Sequence, residues 1–392
     1  MRSFGQLSRK SITAIGLTAA LAAVPSAALG TTGASAAGRT PRASTQNQNV
    51  LTAVAARSSA LAWAVGWWAT ASGSHSLIER WNGTAWTIVP SPGPAHGVGS
   101  DPALEAVAAT SSSSAWAVGF YGDGIDGLEQ TLIYHWNGRA WKQVRSPDPG
   151  GRKAEDMLDG VAAFSASSAW AVGVASLKPL IEHWNGRAWQ RVASPSLRPG
   201  IRGDLTAVAA PSSSDAWAVG VAGRKPLLEH WNGKTWKLVS TPDRFRDVQL
   251  SGVTATSPSN VWAVGTYEGA GGAGHLLTEH WNGQGWRILP IANPGGTESE
   301  PIFGQVAAAS PKDAWAVGSY SIGIENFPFF EHWNGKAWKQ IPAPDSGLLY
   351  GVAAVSATSA WAVGSYNPGR LPQTLIEQWN GKGWTQVPSP NR

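Results

Sequence analysis

No cysteine occurs in the 392 residues, so disulfides and a lipid-anchored cysteine are excluded and the fold must be held by packing. Many exported proteins rely on disulfides, and export without them fits a bacterial source. Charge is scarce as well: Asp, Glu, Lys and Arg make up 14% of the chain, with 30 cations against 25 acids. Three of the cations, Arg2, Arg9 and Lys10, fall in an N-terminal leader without acids. The excess that remains is too small to steer the protein to nucleic acid. Long apolar runs are missing too. The run from Ile12 to Val24 is diluted by Thr and Gly and falls short of the roughly 20 residues that span a bilayer. No membrane span is expected in the mature chain.

That run instead reads as the core of a secretory signal. The basic start "MRSFGQLSRK" precedes it, and "GASAAG" follows with a small-residue cleavage site at Ala34, Ser35 and Ala36. Residues 1–36 are therefore expected to be removed, which places the mature protein outside the cell or in the cell envelope. Residues 37–50 are mostly polar and aperiodic, a flexible lead-in.

What the chain has in abundance is Trp (23) and Gly (46), a composition suited to a tightly turned all-β protein. From Leu51 onward one pattern recurs. Its first marker, "AWAVG", carries Trp63, Trp116, Trp170, Trp217, Trp262, Trp315 and Trp361, with Val261 replacing the leading Ala once. Its second, "HWNGxxW", carries Trp81/Trp86, Trp136/Trp141, Trp184/Trp189, Trp231/Trp236, Trp281/Trp286, Trp333/Trp338 and Trp379/Trp384. Only Trp67 and Trp68 lie outside this frame. A period of about 50 residues marks a stacked-repeat architecture. The copies span approximately 51–92, 104–149, 158–195, 205–243, 250–290, 302–344 and 348–390.

Each copy contains four short runs separated by turn residues. In the fourth these are Leu205 to Ala210, Ala216 to Val221, Leu227 to Trp231 and Thr235 to Ser240. "PSSSD" and "NGK" between them suit antiparallel hairpins. Seven four-stranded antiparallel units predict an all-β, seven-bladed propeller over residues 51–392. In "AWAVG" the Trp and Val point to one face and the alanines to the other. A blade is covered on both faces, so the large face of one should fill the space above the small face of the next. The recurrent tryptophans are read as inter-blade core.

The unit resembles the kelch repeat: "AWAVGSY" stands where kelch strands place an aromatic-hydrophobic run ending in paired glycines, and "IEHWNGxxWxxVPSP" resembles the kelch segment of Tyr, turn, Trp and closing strand. The second glycine is replaced by Thr266, Ser319 or Ser365 in three copies and by larger residues elsewhere. The chain is thus similar to the Trp-rich, kelch-like repeats of proteins exported by actinobacteria. A weaker likeness is to the Asp-box hairpin of sialidases. Both imply a propeller, and neither implies a particular activity.

Catalytic signatures are sparse. Galactose oxidase, an enzyme on a seven-bladed kelch propeller, needs a tyrosine cross-linked to cysteine, which this chain lacks. Sialidase chemistry needs clustered arginines with a nucleophilic Tyr, and only six tyrosines occur. The G-x-S-x-G elbow of serine hydrolases is absent. His135, His183, His230, His280 and His332 share one repeat position, taken by Arg80 and Gln378 in the end copies. One His per blade is no metal-ligand pair, so a structural hydrogen bond on the third strand is expected. Glu79, Glu182, Glu229, Glu279, Glu331 and Glu377 recur likewise and are read as structural. "GDGIDG" (Gly122 to Gly127) does not fit the EF-hand spacing. "LPQTL" at Leu371 resembles a sortase signal but lies inside a repeat. No catalytic residue, metal or cofactor is assigned.

Departures from the repeat remain. Strand parity puts the second-to-third-strand loops and the blade connections at one end of the propeller. These vary in length, from Gly119 to Leu132 in the second copy to only Gly173 to Leu180 and Gly220 to Leu227 in the third and fourth. In the long-loop copies an aromatic follows the Gly by two: Trp68, Tyr121, Tyr267, Tyr320 and Tyr366. The short-loop copies have Ala175 and Ala222. These rings, with Trp67, Phe327 and Phe329 and the polar Asp123, Asp126, Glu268 and Arg370, are the candidate ligand-binding rim. The competing reading is that each ring packs beneath its own loop. The sequence thus predicts a secreted, monomeric recognition module for an extracellular glycan, cell-envelope polymer or protein. The alternatives are a glycan-processing enzyme with its active site in the central pocket, and a purely structural envelope protein.

Overall fold

A computed structural model describes residues 47–93, 101–122, 128–151, 154–242, 245–269, 272–296, 299–323, 325–343, 347–367 and 371–392. Every regular element among them is a strand, and the 28 strands form seven four-stranded sheets. The blades run 48–88, 103–143, 156–191, 203–238, 246–289, 300–341 and 348–386. Within each, successive strands pair antiparallel in chain order. The first strand of every blade packs against the first strand of the next, and that of blade 7 against that of blade 1. The molecule is a seven-bladed β-propeller with its first strands around the axis. No helix among the described residues is long and apolar enough to cross a membrane.

The two Trp motifs meet between blades. Trp63 of blade 1 lies 4.9 Å from Trp136 and 5.1 Å from Trp141 of blade 2, the second contact edge-to-face. The same triad forms at each interface, ending with Trp361 of blade 7 against Trp81 and Trp86 of blade 1. The alanines of the next "AWAVG" accept this bulk, as where Trp63 and Val65 share a cluster with Ala115 and Ala117. Aromatic pairs of this kind add about 0.5–1.5 kcal/mol beyond the area they bury.

Two small residues of the motifs have separate causes. The Gly of "AWAVG" faces a bulge in the first strand. A Cβ on Gly66 would lie 2.1 Å from the Val50 carbonyl oxygen, and one on Gly364 1.8 Å from that of Leu348. In "HWNG", Asn82 Oδ1 accepts the backbone N–H of Thr84 and Ala85, and Gly83 takes a φ of +99°. That turn repeats in every blade, so both residues are fixed by its geometry.

The recurrent polar residues are structural as expected. His135, His183, His230, His280 and His332 stack on the "AWAVG" Trp of their own blade, with ring centroids 4.1–4.3 Å apart. Each also bonds the residue opening the second strand, such as Asp313 at 2.8 Å from His332. Arg80 substitutes by laying its guanidinium over Trp63. The glutamates are buried at blade interfaces. Ser389 donates to Glu79, Ser146 to Glu182 and Ser194 to Glu229, each from the preceding blade. Burial pushes Glu79 and Glu182 up to about 8 and Glu229 and Glu331 up to about 7.

Among the described residues each blade is built from four consecutive strands, so none is exchanged to close the ring. The first strand begins at Gln48, before the expected boundary at Leu51, because Asn49 is a fastening point rather than part of a lead-in. Buried Asn49 donates its backbone N–H to the Pro372 carbonyl, and its Oδ1 accepts the Arg392 N–H at 2.8 Å. Ser389, following the last strand of blade 7, reaches Glu79 on the third strand of blade 1 and adds a second tie between these blades.

Candidate functional site

At the end bearing the serine-rich and Asn-Gly hairpins, the blades repeat one geometry. The opposite end carries the irregular loops, and there the second and third strands run on past the repeat. Each rim aromatic lies on this extension opposite a third-strand residue: Trp68 to His75, Tyr121 to Gln130, Tyr267 to His275, Tyr320 to Phe327 and Tyr366 to Gln373. Trp68 stacks on His75 at 4.4 Å, and Tyr320 on Phe327 at 5.3 Å. Side chains alternate along a strand, so each ring also leans toward the preceding blade. Trp68 accordingly packs on the core shared by blades 7 and 1, and Tyr366 on that shared by blades 6 and 7.

The rim is uneven in exposure. Trp67 (4% exposed), Tyr121 (6%) and Phe329 (0%) are interior. Phe329 packs edge-to-face on Phe303, Trp67 joins Val50 and Ala103, and the Tyr121 hydroxyl donates to Gln130. Trp68, Tyr267, Tyr320, Tyr366 and Phe327 are half-buried. Asp123, Asp126 and Arg370 lie outside the described residues.

Blades 5 and 6 bring the most together. Phe245, on the connection into blade 5, stacks on Tyr267 at 3.7 Å, and Tyr267 on His275 at 5.2 Å. Beside this ladder a cleft of about 520 Å³ is lined by Tyr267, His275, Leu276, Ile291, Asn293 and Gly296. Asn293 shapes it: Oδ1 accepts the Leu276 N–H, while Nδ2 donates to the Gly274 carbonyl and to His275 Nδ1. That bond makes Nδ1 the acceptor of the imidazole. Tyr320 reaches the same connection from blade 6, where a Cβ on Gly295 would lie 2.6 Å from its ring.

Glu268 borders the ladder in a charged group with Arg224 and Asp247. Arg224 forms a two-pronged ion pair with Asp247 and stands 3.7 Å from Glu268. The guanidinium draws the Asp247 carboxyl below its ordinary range. Glu268, hydrogen-bonded to Asp247, is pushed up. Among the described residues, no three His, Cys, Asp or Glu side chains are grouped to hold a metal ion.

Phe245, His275 and Asn293 were not singled out from the sequence. The one available signal was register, since His75 and His275 stand outside the His-Trp position and opposite a rim aromatic. Asn293 repeats a role seen in blade 7, where Asn391 Oδ1 caps the N–H of Thr374.

No protein-family model matches the chain, and no match to a characterised protein is found by sequence. Several solved propellers resemble it in fold. YCF48 bound to a D1 peptide aligns with a TM-score of 0.53 at 14% identity, covering 86% of this chain and 94% of that one. The β-propeller domain of Swd1 from Myceliophteria thermophila gives 0.52 at 10%, covering 84% and 96%. A prolyl endopeptidase gives 0.55 at 10%, covering 88% of this chain and 51% of that one. At these identities the likeness concerns the fold alone.

Proposed function

We propose that the protein is an exported, kelch-like recognition module that binds an extracellular glycan, cell-envelope polymer or protein through its variable-loop end. In this reading the leader is removed near Ala36, and the mature chain acts as a monomer without metal or cofactor. One observation carries it. Blades 3 and 4 complete the fold with Ala175 and Ala222 at the rim position, so an aromatic there is not required to build a blade. The half-buried rings of blades 5 and 6, beside a cleft and a charged group, are therefore read as placed for a ligand. Partly exposed rings give contact area at low entropic cost and stack on sugars or anchor side chains.

The test is a screen of the mature protein against a glycan array, cell-wall polymers and envelope proteins, followed by Trp68→Ala, Tyr267→Ala and Tyr320→Ala combined. The triple variant is expected to melt cooperatively and to lose binding to the ligand found. Undiminished binding removes the rim from the proposal. Turnover of an arrayed glycan favours the enzyme reading instead.

A further inference from the structure

The hairpin end, opposite the rim, is level. In all seven blades the third and fourth strands are joined by the same Asn-Gly turn, whose Asn side chain accepts the N–H three residues on. All seven hairpins between first and second strands turn on two residues, from Ser58↔Leu61 in blade 1 to Ser356↔Ser359 in blade 7. All of these turns are among the described residues. Equal turns on equivalent strands give this end an even face.

That face is cationic. The residue after the Asn-Gly pair is Arg139, Arg187, Lys234, Lys336 or Lys382 in five blades, and Thr84 or Gln284 in the other two. The residue after the outer-strand Trp is Lys142, Lys237, Arg287 or Lys339 in four. All nine cations are exposed, and among the described residues none meets a carboxylate at ion-pair distance. Two acids lie near these turns, Asp215 and Asp313. They are held by His230 and His332, with 14% and 11% of their side chains exposed. The recurrent third-strand glutamates are buried. The other described acids lie in the first halves of first and third strands, at the end of a second strand or on blade connections, all toward the opposite end. The small net charge therefore hides a segregation that leaves the hairpin end with unpaired cations.

Aromatic rings stand among them. Phe164, one residue before the blade 3 hairpin and at the repeat position of Arg57, is 50% exposed. Trp184, Trp281 and Trp333 are half-buried at this end, each donating its indole N–H to a hairpin carbonyl.

We infer that the hairpin end docks on an anionic phospholipid surface through these cations and Phe164. A plane meets the cations of six blades at once, and attraction to anionic headgroups acts within a Debye length of the surface. A single polyanion strand follows only part of the ring and leaves Phe164 without an apolar partner. Aromatic rings beside polar groups suit the headgroup level of a bilayer. Docked this way, the protein turns its variable-loop end away from the membrane. The inference goes beyond the rim proposal and uses none of the rim rings.

The probe is vesicles of phosphatidylglycerol mixed with phosphatidylcholine, sedimented with the mature protein at low salt. Binding that weakens with added salt is expected, with none to pure phosphatidylcholine. Lys234→Glu, Lys237→Glu, Lys336→Glu and Lys339→Glu combined should cut vesicle affinity about tenfold or more with the melting temperature held. Phe164→Ser should cut it severalfold. The combined Trp68, Tyr267 and Tyr320 variant should bind vesicles as the wild type does, so failure of the rim proposal and failure of this one are read separately. The inference is overturned if the anionic vesicles do not sediment the protein, or if the charge-reversed or the Phe164 variant binds them as well as the wild type. Tighter binding of soluble heparin or duplex DNA than of the vesicles overturns it too, in favour of a polyanion site.

Discussion

At the hairpin end, Asn82, Asn137, Asn185, Asn232, Asn282, Asn334 and Asn380 all close the same turn with the same two backbone bonds. At the opposite end, blade 3 turns on Ser176 and Leu177, blade 4 on Gly223 and Arg224, and blade 5 builds a cleft from Tyr267, His275 and Asn293. The two ends are joined by one set of strands and one inter-blade core. Uniformity at one end and divergence at the other therefore cannot come from the sheets. The repeat sets a shared scaffold, and individual blades differ where the scaffold ends.

The sharpest way to break that contrast is to put equivalent truncations in the two regions. Trp217→Ala in the core removes a buried ring packed on Trp281 and Trp286 and should cost about 3–5 kcal/mol in urea unfolding. A scaffold that depends on its triads cannot tolerate that loss quietly, and a cost below about 1 kcal/mol would undo this account of the core.

The buried glutamates supply a second difference, read by pH. Their folded pKa values, about 7 to 8 at Glu79, Glu182, Glu229 and Glu331, lie above the ordinary value. A raised folded value means that stability is fully present below the unfolded pKa, near 4.3. It is lost as pH rises toward and through the folded values. The melting temperature should be higher at pH 5 than at pH 8.5. At Glu182 the charges of Asp148 and Asp156 oppose ionisation, while Arg191 favours it. Glu182→Gln should flatten the dependence; a melting temperature that rises steadily with pH would contradict the assignment.

Ring closure ranks third. Asn49→Ala leaves the Arg392 N–H without its acceptor and should cost about 1–3 kcal/mol. Hydrogen exchange should show the loss concentrated at the blade 1–blade 7 interface. The smallest effect is expected at the rim, where Tyr320→Ala should cost about 1 kcal/mol or less, because blades 3 and 4 already accept alanine there. If Tyr320→Ala destabilised the protein as much as Trp217→Ala, the ring would belong to the scaffold and not to the variable end.

The recurrent residues were legible because repetition acts as a filter. A Trp, His or Glu required at every blade interface appears in every frame, and the structure places those positions in the core or at its edges. The rim was legible only as a list. Chain spacing does not reveal that Phe329 points inward while Phe327, two residues earlier, lies half-exposed. Nor does it show that Phe245 covers one face of Tyr267 while His275 covers the other.

The sequence by itself determined the repeat, the four strands in each copy and the propeller, because strand period and turn chemistry are local and recur seven times. Tertiary structure alone decided how the ring fastens, since Asn49 and Arg392 meet only when blade 7 returns to blade 1. It also decided which irregular residues share a surface. Tyr267 and Asn293 line one cleft because a strand end and the connection to the next blade converge there. No local pattern encodes that convergence, since it follows from the closure of the whole ring.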